Sequence, residues 1–162
     1  MAEMVHVVVP VFAVVVTGLF AGLFFAFSVA VMPGMRRSGD RAMVEVMQGV
    51  NVAILNPFFA VVFIGAPVAV LACAVLYASV GAMGAAAWSV AALVCLVVAV
   101  LVTFTVNVPR NNALEEAGVA ERIADPAAVR AAFEPVWVRW NHVRTLVSVL
   151  ALVGVVIAVG LR

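Results

Sequence analysis

The chain has 162 residues, is 67% hydrophobic and carries a net charge of +1, with a mean hydropathy of +1.27. A soluble domain is about half apolar, so this composition excludes a soluble globular fold for most of the chain. The near-zero charge excludes a long-range field that would gather nucleic acid or an acidic partner.

The apolar residues collect in four runs, 7–32, 58–78, 85–106 and 143–161, and none of the four contains lysine or an acidic residue. Each is long enough to cross a hydrocarbon core of ~30 Å. The expected fold is all-α: an integral membrane four-helix bundle in a single transmembrane domain, 1–162, with short interfacial helices on the cytoplasmic side.

In chain order, the first run lacks a basic leader and is too long for a signal peptide, so it reads as a retained helix. Gly18 and Gly22 form a GxxxG pair that Ala26 and Ala30 extend. Such a row lets helix backbones approach closely, either inside the bundle or across a homo-oligomer seam. Met32-Pro33-Gly34 is expected to end the helix. Residues 38–56 then carry apolar positions at helical spacing (Met43, Met47, Val50, Ile54), predicting an interfacial helix. Asn56-Pro57 reads as a cap and first helical residue of the second span, which Pro67 is expected to kink. The uncharged, glycine-rich turn 79–84 makes spans two and three a hairpin. Cys73 and Cys95 lie inside spans without metal or redox spacing and read as small apolar side chains. Pro109 is expected to break or bend the third span near Asn107 or Val108. Residues 115–125 read as solvated. Asp125-Pro126 opens a helix that runs into the fourth span, with a bend expected at Pro135.

Arginine sets the orientation. Arg36, Arg37, Arg41, Arg110, Arg122, Arg130, Arg139 and Arg144 fall on one side and only Arg162 on the other. The positive-inside tendency therefore predicts cytoplasmic polar loops and both termini outside, in a plasma membrane.

Polar groups at membrane depth are costly unless paired or lining a cavity, so they mark functional candidates. Those near the cytoplasmic helix ends are Asn51, Asn56, Asn107, Asn111, Asn112, Asn141, His142 and Arg144. At ~100° per residue, Trp137, Asn141, Arg144 and Ser148 share one stripe with Trp140 at its edge, whereas His142 lies about 100° from Asn141. Each has a plainer reading beside the functional one: Trp137 and Trp140 as interfacial anchors, Arg144 as a snorkelling side chain, His142 as an interfacial polar residue, the asparagines as helix caps. His6 is at the opposite end. No hydrolase triad, P-loop, dinucleotide fingerprint or metal-ligand spacing occurs, and no carboxylate lies within a span.

The order of these pieces is specific. A small-residue N-terminal helix ending in MPG is followed by Asn51-x4-Asn56-Pro57, Asn107-x-Pro109-x-Asn111 and Trp137-x2-Trp140-Asn141-x2-Arg144. This pattern resembles the DUF1772 family of anthrone oxygenase-like membrane proteins over almost the whole chain. The resemblance implies a four-helix membrane protein. Some members oxidise polyketide anthrones to anthraquinones with molecular oxygen and no evident cofactor; many bacterial members have no assigned substrate. It therefore implies a cofactor-independent oxygenase for a flat, apolar aromatic or phenolic substrate, with no metal. In that reading Asn51, Asn107, Asn111 and Asn141 donate to an oxyanion, Arg144 stabilises its charge, Trp140 stacks on the rings, and His142 is the base. Asn56 and Trp137 complete the substrate-binding set. The implied partners are the lipid bilayer and the small aromatic substrate, without nucleic acid, and a homo-oligomer through Gly18 and Gly22 stays open. The alternative is a non-catalytic membrane protein whose asparagines and Arg144 hold a lipid or quinone-like ligand.

Overall fold

The computed structural model describes residues 2–162, with side chains from Met4 onward, and these residues are helical apart from short turns, with no strand among them. Five helices form. α1 runs Ala2–Ala26, widens into a π-helical turn at Phe27–Val31 and closes with Met32–Met35. α2 is Asp40–Ala53 and α3 is Pro57–Ser79. α4 runs Met83–Val102, passes through a second π turn at Thr103–Asn107 and continues as Val108–Glu116. After a 3-10 turn at Ala120–Arg122, α5 runs unbroken over Pro126–Gly160, with Pro135 inside it.

The prolines act through π turns. The first helix runs through Met32-Pro33-Gly34 and ends at Met35, and at Pro109 the third span does not break but is distorted, with a π turn over Thr103–Asn107. A proline ring clashes with the carbonyl four residues earlier. For Pro33 and Pro109 that residue is Val29 or Thr105, and each sits inside a π turn. The wider turn, closed by Met32 N–H to Phe27 O and by Val108 N–H to Thr103 O, accommodates the ring without ending the helix. Pro67 likewise lies within an unbroken α3.

α1, α3, α4 and α5 are all long and apolar enough to cross a membrane. Their outward faces carry exposed residues such as Val8, Leu19, Ile64, Val75, Leu101 and Leu146. Only lipid covers a continuous apolar circumference of this kind, and helices satisfy their own backbone groups within it. The chain is an integral membrane helical bundle.

The bundle is packed differently at its two ends. Ala85, Ala86, Ser89, Ala92 and Ala99 of α4 meet Ala151, Gly154, Val155 and Ala158 of α5, all buried. A Cβ on Gly154 would lie 3.1 Å from the Ala92 Cβ, so the helices touch almost backbone to backbone there. Toward the polar end large rings pack between the helices instead: Phe20 against Phe63 at 5.5 Å and Phe27 against Trp137 at 5.6 Å between centroids, with the exposed Phe104 closing on Phe63 from outside at 5.9 Å. Small side chains draw the helices together at one end, and rings hold them apart at the other.

α2 roofs the wide end. Met43, Val44 and Met47 bury against Met32, Leu114, Ile123, Phe133 and Trp137. Gln48 Nε2 donates to the carbonyls of Leu114 and Gly118, both at 2.9 Å. Arg41 donates to the carbonyls of Ala120 and Ile123. Gly118, at φ +90°, takes the left-handed conformation that turns the chain beneath this clamp. Glu134 joins Arg36 and Arg130, each at 2.6 Å, and Arg130 reaches Asp40 at 3.0 Å. This network ties the α1–α2 connection to α5.

Candidate functional site

A cavity of about 500 Å³ lies under α2 at the wide end, within the range of small-molecule sites. Helical periodicity explains who lines it. α2 contributes Met47, Val50, Asn51 and Ile54, and the end of α4 contributes Phe104, Val108, Asn111, Asn112 and Glu115. α5 contributes Trp137, Asn141 and Arg144, α1 contributes Leu23, Phe24 and Phe27, and α3 contributes Phe59 and Phe63. Steps of three and four residues bring each set onto one face of its helix. The walls are chiefly apolar and aromatic, with a few convergent polar groups.

Arg144 is the centre of those polar groups. It is 4% exposed, and its guanidinium lies over the Phe24 ring at 4.4 Å and the Trp137 ring at 5.2 Å. Nη2 donates to Asn141 Oδ1 at 2.8 Å and Nη1 to Thr103 Oγ1 at 3.3 Å, while Nε has no partner among the described residues. No described carboxylate forms an ion pair with it. Ring faces stabilise a cation by the aromatic quadrupole. They do not neutralise it, and a buried charge without a counterion is worth several kcal/mol to an incoming anion.

Asn141, 1% exposed, orients Arg144. Its amide nitrogen donates to the Phe24 carbonyl at 3.0 Å and to Ser28 Oγ at 2.9 Å, leaving its oxygen to accept from the guanidinium. Ser28 sits in the first π turn and also meets Thr145 Oγ1 at 2.8 Å. Asn107 and Thr103 occupy the second π turn; Asn107 donates to the Trp137 carbonyl at 3.2 Å, and its own oxygen is buried without a partner. Asn111 Oδ1 accepts from Trp137 Nε1 at 2.8 Å. Both π turns thus supply polar groups to one ring of contacts around Trp137, Asn141 and Arg144.

The residues singled out from sequence fall into two sets. Arg144, Asn141, Trp137, Asn51 and Asn111 line the cavity, with Asn107 buried directly behind Trp137. Asn51 Nδ2 has no partner among the described residues. Asn56, Trp140 and His142 lie elsewhere. Asn56 caps α3, accepting from Phe59 N–H at 3.0 Å and donating to the Ala53 carbonyl at 2.8 Å. Trp140 lines a separate smaller cavity between α4 and α5 beside Arg110. His142 is exposed, with Nδ1 3.0 Å from Ser28 Oγ. Gly18 packs near Leu152, while a Cβ on Gly22 would meet nothing within 4 Å.

Four lining or supporting residues escape the sequence reading. Thr103 and Ser28 look like ordinary hydroxyls in apolar spans, and only the π turns bring them to the site. Phe24 looks like core. Glu115 reads as part of a solvated segment, because its place on the cavity wall depends on α4 continuing past Pro109.

No group of three or more His, Cys, Asp or Glu side chains among the described residues has metal-binding geometry. No curated protein and no solved structure matches the chain. The family model described as anthrone oxygenase matches residues 58–154, from the first turn of α3 to Gly154 of α5. That stretch contains Thr103, Asn107, Asn111, Trp137, Asn141 and Arg144. With more than half its length matched, and these side chains gathered on one cavity or directly behind its wall, the chain belongs to the anthrone oxygenase family.

Proposed function

We propose that the chain is a membrane oxygenase that oxidises a flat, apolar phenolic substrate with molecular oxygen in the cavity under α2, without a cofactor. The observation that carries this reading is Arg144: a buried guanidinium without a carboxylate partner among the described residues, lying over two rings on the wall of an apolar cavity. A substrate of the anthrone type has an acidic methylene across the ring from a carbonyl. Loss of that proton delocalises an electron pair onto the oxygen, giving an aromatic oxyanion that transfers an electron to oxygen. Arg144 lowers the energy of that oxyanion, and its positioning by Asn141 and Thr103 removes the reorganisation that water would require. Asn51 Nδ2 and the amide nitrogen of Asn111 are further donors at the cavity wall.

The test is anthrone-dependent oxygen uptake by the purified protein in vesicles, with the product identified by mass spectrometry. Uptake with an anthraquinone product, lowered at least about 100-fold in Arg144→Ala, is expected from the loss of an oxyanion-stabilising group. Anthrone bound without oxygen uptake supports the ligand-holding alternative instead.

The eight arginines on the α2 side favour a plasma-membrane orientation with that side cytoplasmic and both termini outside. Tags at both termini are expected to be digested by protease added outside intact cells; protected tags reverse the orientation.

A further inference from the structure

We propose that Glu115 is the proton acceptor of this site. The inference rests on the oxygenase reading and names the group that reading lacks. His142 is the only histidine near the polar end, yet it is exposed on the α1 side and does not line the cavity. Glu115, itself exposed at the rim, does line it, as the one carboxylate among the lining residues, just as Arg144 is their one cation. Its side chain has no ion pair and no hydrogen bond to another described residue. The nearby acids are committed elsewhere or point elsewhere: Glu134 joins two arginines, Asp125 caps α5, and Glu116 is exposed outside the cavity.

Position supports the role. Glu115 stands one helical turn beyond Asn111, about 6 Å along α4. Asn111 is fixed by Trp137, and the Trp137 ring lies 5.2 Å from the Arg144 guanidinium. The wall thus has a cation toward its floor and a carboxylate toward its mouth, with an aromatic surface between them. A flat tricyclic ketone places its oxygen and its acidic carbon on opposite sides of the central ring. Oxygen on Arg144 therefore turns the methylene toward the mouth.

The chemistry balances. Glu115 takes one methylene proton; the C–H electron pair passes through the ring to the carbonyl oxygen, forming the oxyanion on Arg144. The oxyanion gives one electron to molecular oxygen, and the carbon radical and superoxide combine into a C–O bond. The protonated Glu115 returns its proton to the distal peroxide oxygen. Removal of the remaining C–H proton by Glu115 then breaks the O–O bond, giving the ketone and, with that proton, one water. Oxygen is the oxidant and no other redox partner is needed.

The step is read separately from turnover by anaerobic exchange of anthrone deuterated at its methylene, with protein in vesicles and an empty-vesicle control. Wild type is expected to speed loss of deuterium to water. Glu115→Gln is expected to lose about 100-fold or more of that acceleration. It still quenches tryptophan fluorescence with anthrone as wild type does. Glu115→Asp restores part of the exchange, and Glu116→Gln keeps it. Wild-type exchange and oxygen uptake in Glu115→Gln would overturn the assignment while leaving the oxygenase reading intact. Loss of exchange in His142→Ala with retention in Glu115→Gln would overturn it in favour of the histidine. Wild-type protein that neither exchanges anthrone nor takes up oxygen removes the oxygenase reading and this inference with it.

Discussion

Arg144 and its neighbours show how a single apolar stripe acquires chemistry. Trp137, Asn141, Arg144 and Ser148 share a face because they follow helical spacing, and all four are buried. That much was legible from residue order alone. What each side chain is bonded to was not. Asn141 has its nitrogen committed to the Phe24 carbonyl and Ser28, so it orients Arg144 and has no N–H left for a ligand. A buried guanidinium with no counterion among the described residues adds little to the fold, since an apolar side chain of similar volume is often neutral or stabilising in such a place, and the proposed function gives it a use. Arg144→Met is therefore expected to abolish oxygen uptake while leaving unfolding free energy in detergent within about 1 kcal/mol of wild type or higher. A loss of more than about 2 kcal/mol would make the guanidinium a structural strut. Asn107 is the contrasting case. It is 1% exposed and donates to the Trp137 carbonyl, whereas Asn112 is exposed at the cavity rim. Asn107→Leu should destabilise by about 1–3 kcal/mol and Asn112→Leu by less than about 0.5 kcal/mol. Equal melting temperatures for the two variants would contradict the buried role of Asn107.

The elements explain why some of the site was hidden. Helix spans follow from hydropathy, the cap at Asn56-Pro57 from its residue types, and α2 from its apolar spacing, because these are local properties. The π turns are not local in that sense. A proline in a helix is compatible with a break, a kink or a wide turn, and the neighbouring helices decide among them. Here Ser28 and Thr103 in those turns bond to α5, and that tertiary contact carries both helices past their prolines. Because α4 continues, Asn111, Asn112 and Glu115 fall on the cavity wall. His142 diverges from the site for a simpler reason: it lies about 100° from Asn141 on a regular α5, whereas Trp140, about 40° outside the Arg144 edge of the stripe, turns to the α4 side beside Arg110. Two substitutions test the elements. Gly154→Val sets branched carbon atoms against Ala92 at the tight end, where a Cβ alone already lies at 3.1 Å. It should cost about 1–3 kcal/mol, whereas Gly22→Ala, inside α1 with nothing within 4 Å of its new carbon, should raise the melting temperature slightly or leave it as it is. Gln48→Ala removes both bonds that hold α2 to the end of α4. Amide exchange of α2 should then quicken at least about tenfold while α3 and α5 stay protected. Uniform acceleration across the bundle would mean that α2 is not an independent roof.

At the scale of the whole molecule, the cavity has an apolar rim on one side. Its rim between the α2–α3 corner and α4 carries Val52, Leu55 and Phe104, exposed at 66%, 81% and 59%. The same corner continues into Phe58, exposed at 86%. An apolar patch of this kind marks a surface that meets hydrocarbon or a partner. The polar rim residues, Asn112 and Glu115, lie about two to three turns beyond Phe104 along α4, toward the charged network of Arg36, Glu134, Arg130 and Asp40. With the four spans in a bilayer, we expect this mouth to straddle the boundary between hydrocarbon and water. A flat apolar phenol partitions into the bilayer, so the concentration that governs its entry is the amount per lipid, not the amount per volume of buffer. This separates a bilayer-fed site from a water-fed one in a single titration. With protein and anthrone fixed, adding protein-free vesicles of the same lipid should dilute the substrate among more lipid once the vesicles share it. Initial oxygen uptake below saturation should then fall in inverse proportion to total lipid. Introducing charge at the apolar rim, as Phe104→Asp, should lower uptake at limiting anthrone more than at saturation, because it hinders entry and not chemistry. An uptake rate insensitive to added lipid, at anthrone levels shown to reside in the vesicles, would mean that substrate reaches Arg144 from the aqueous side past Glu115.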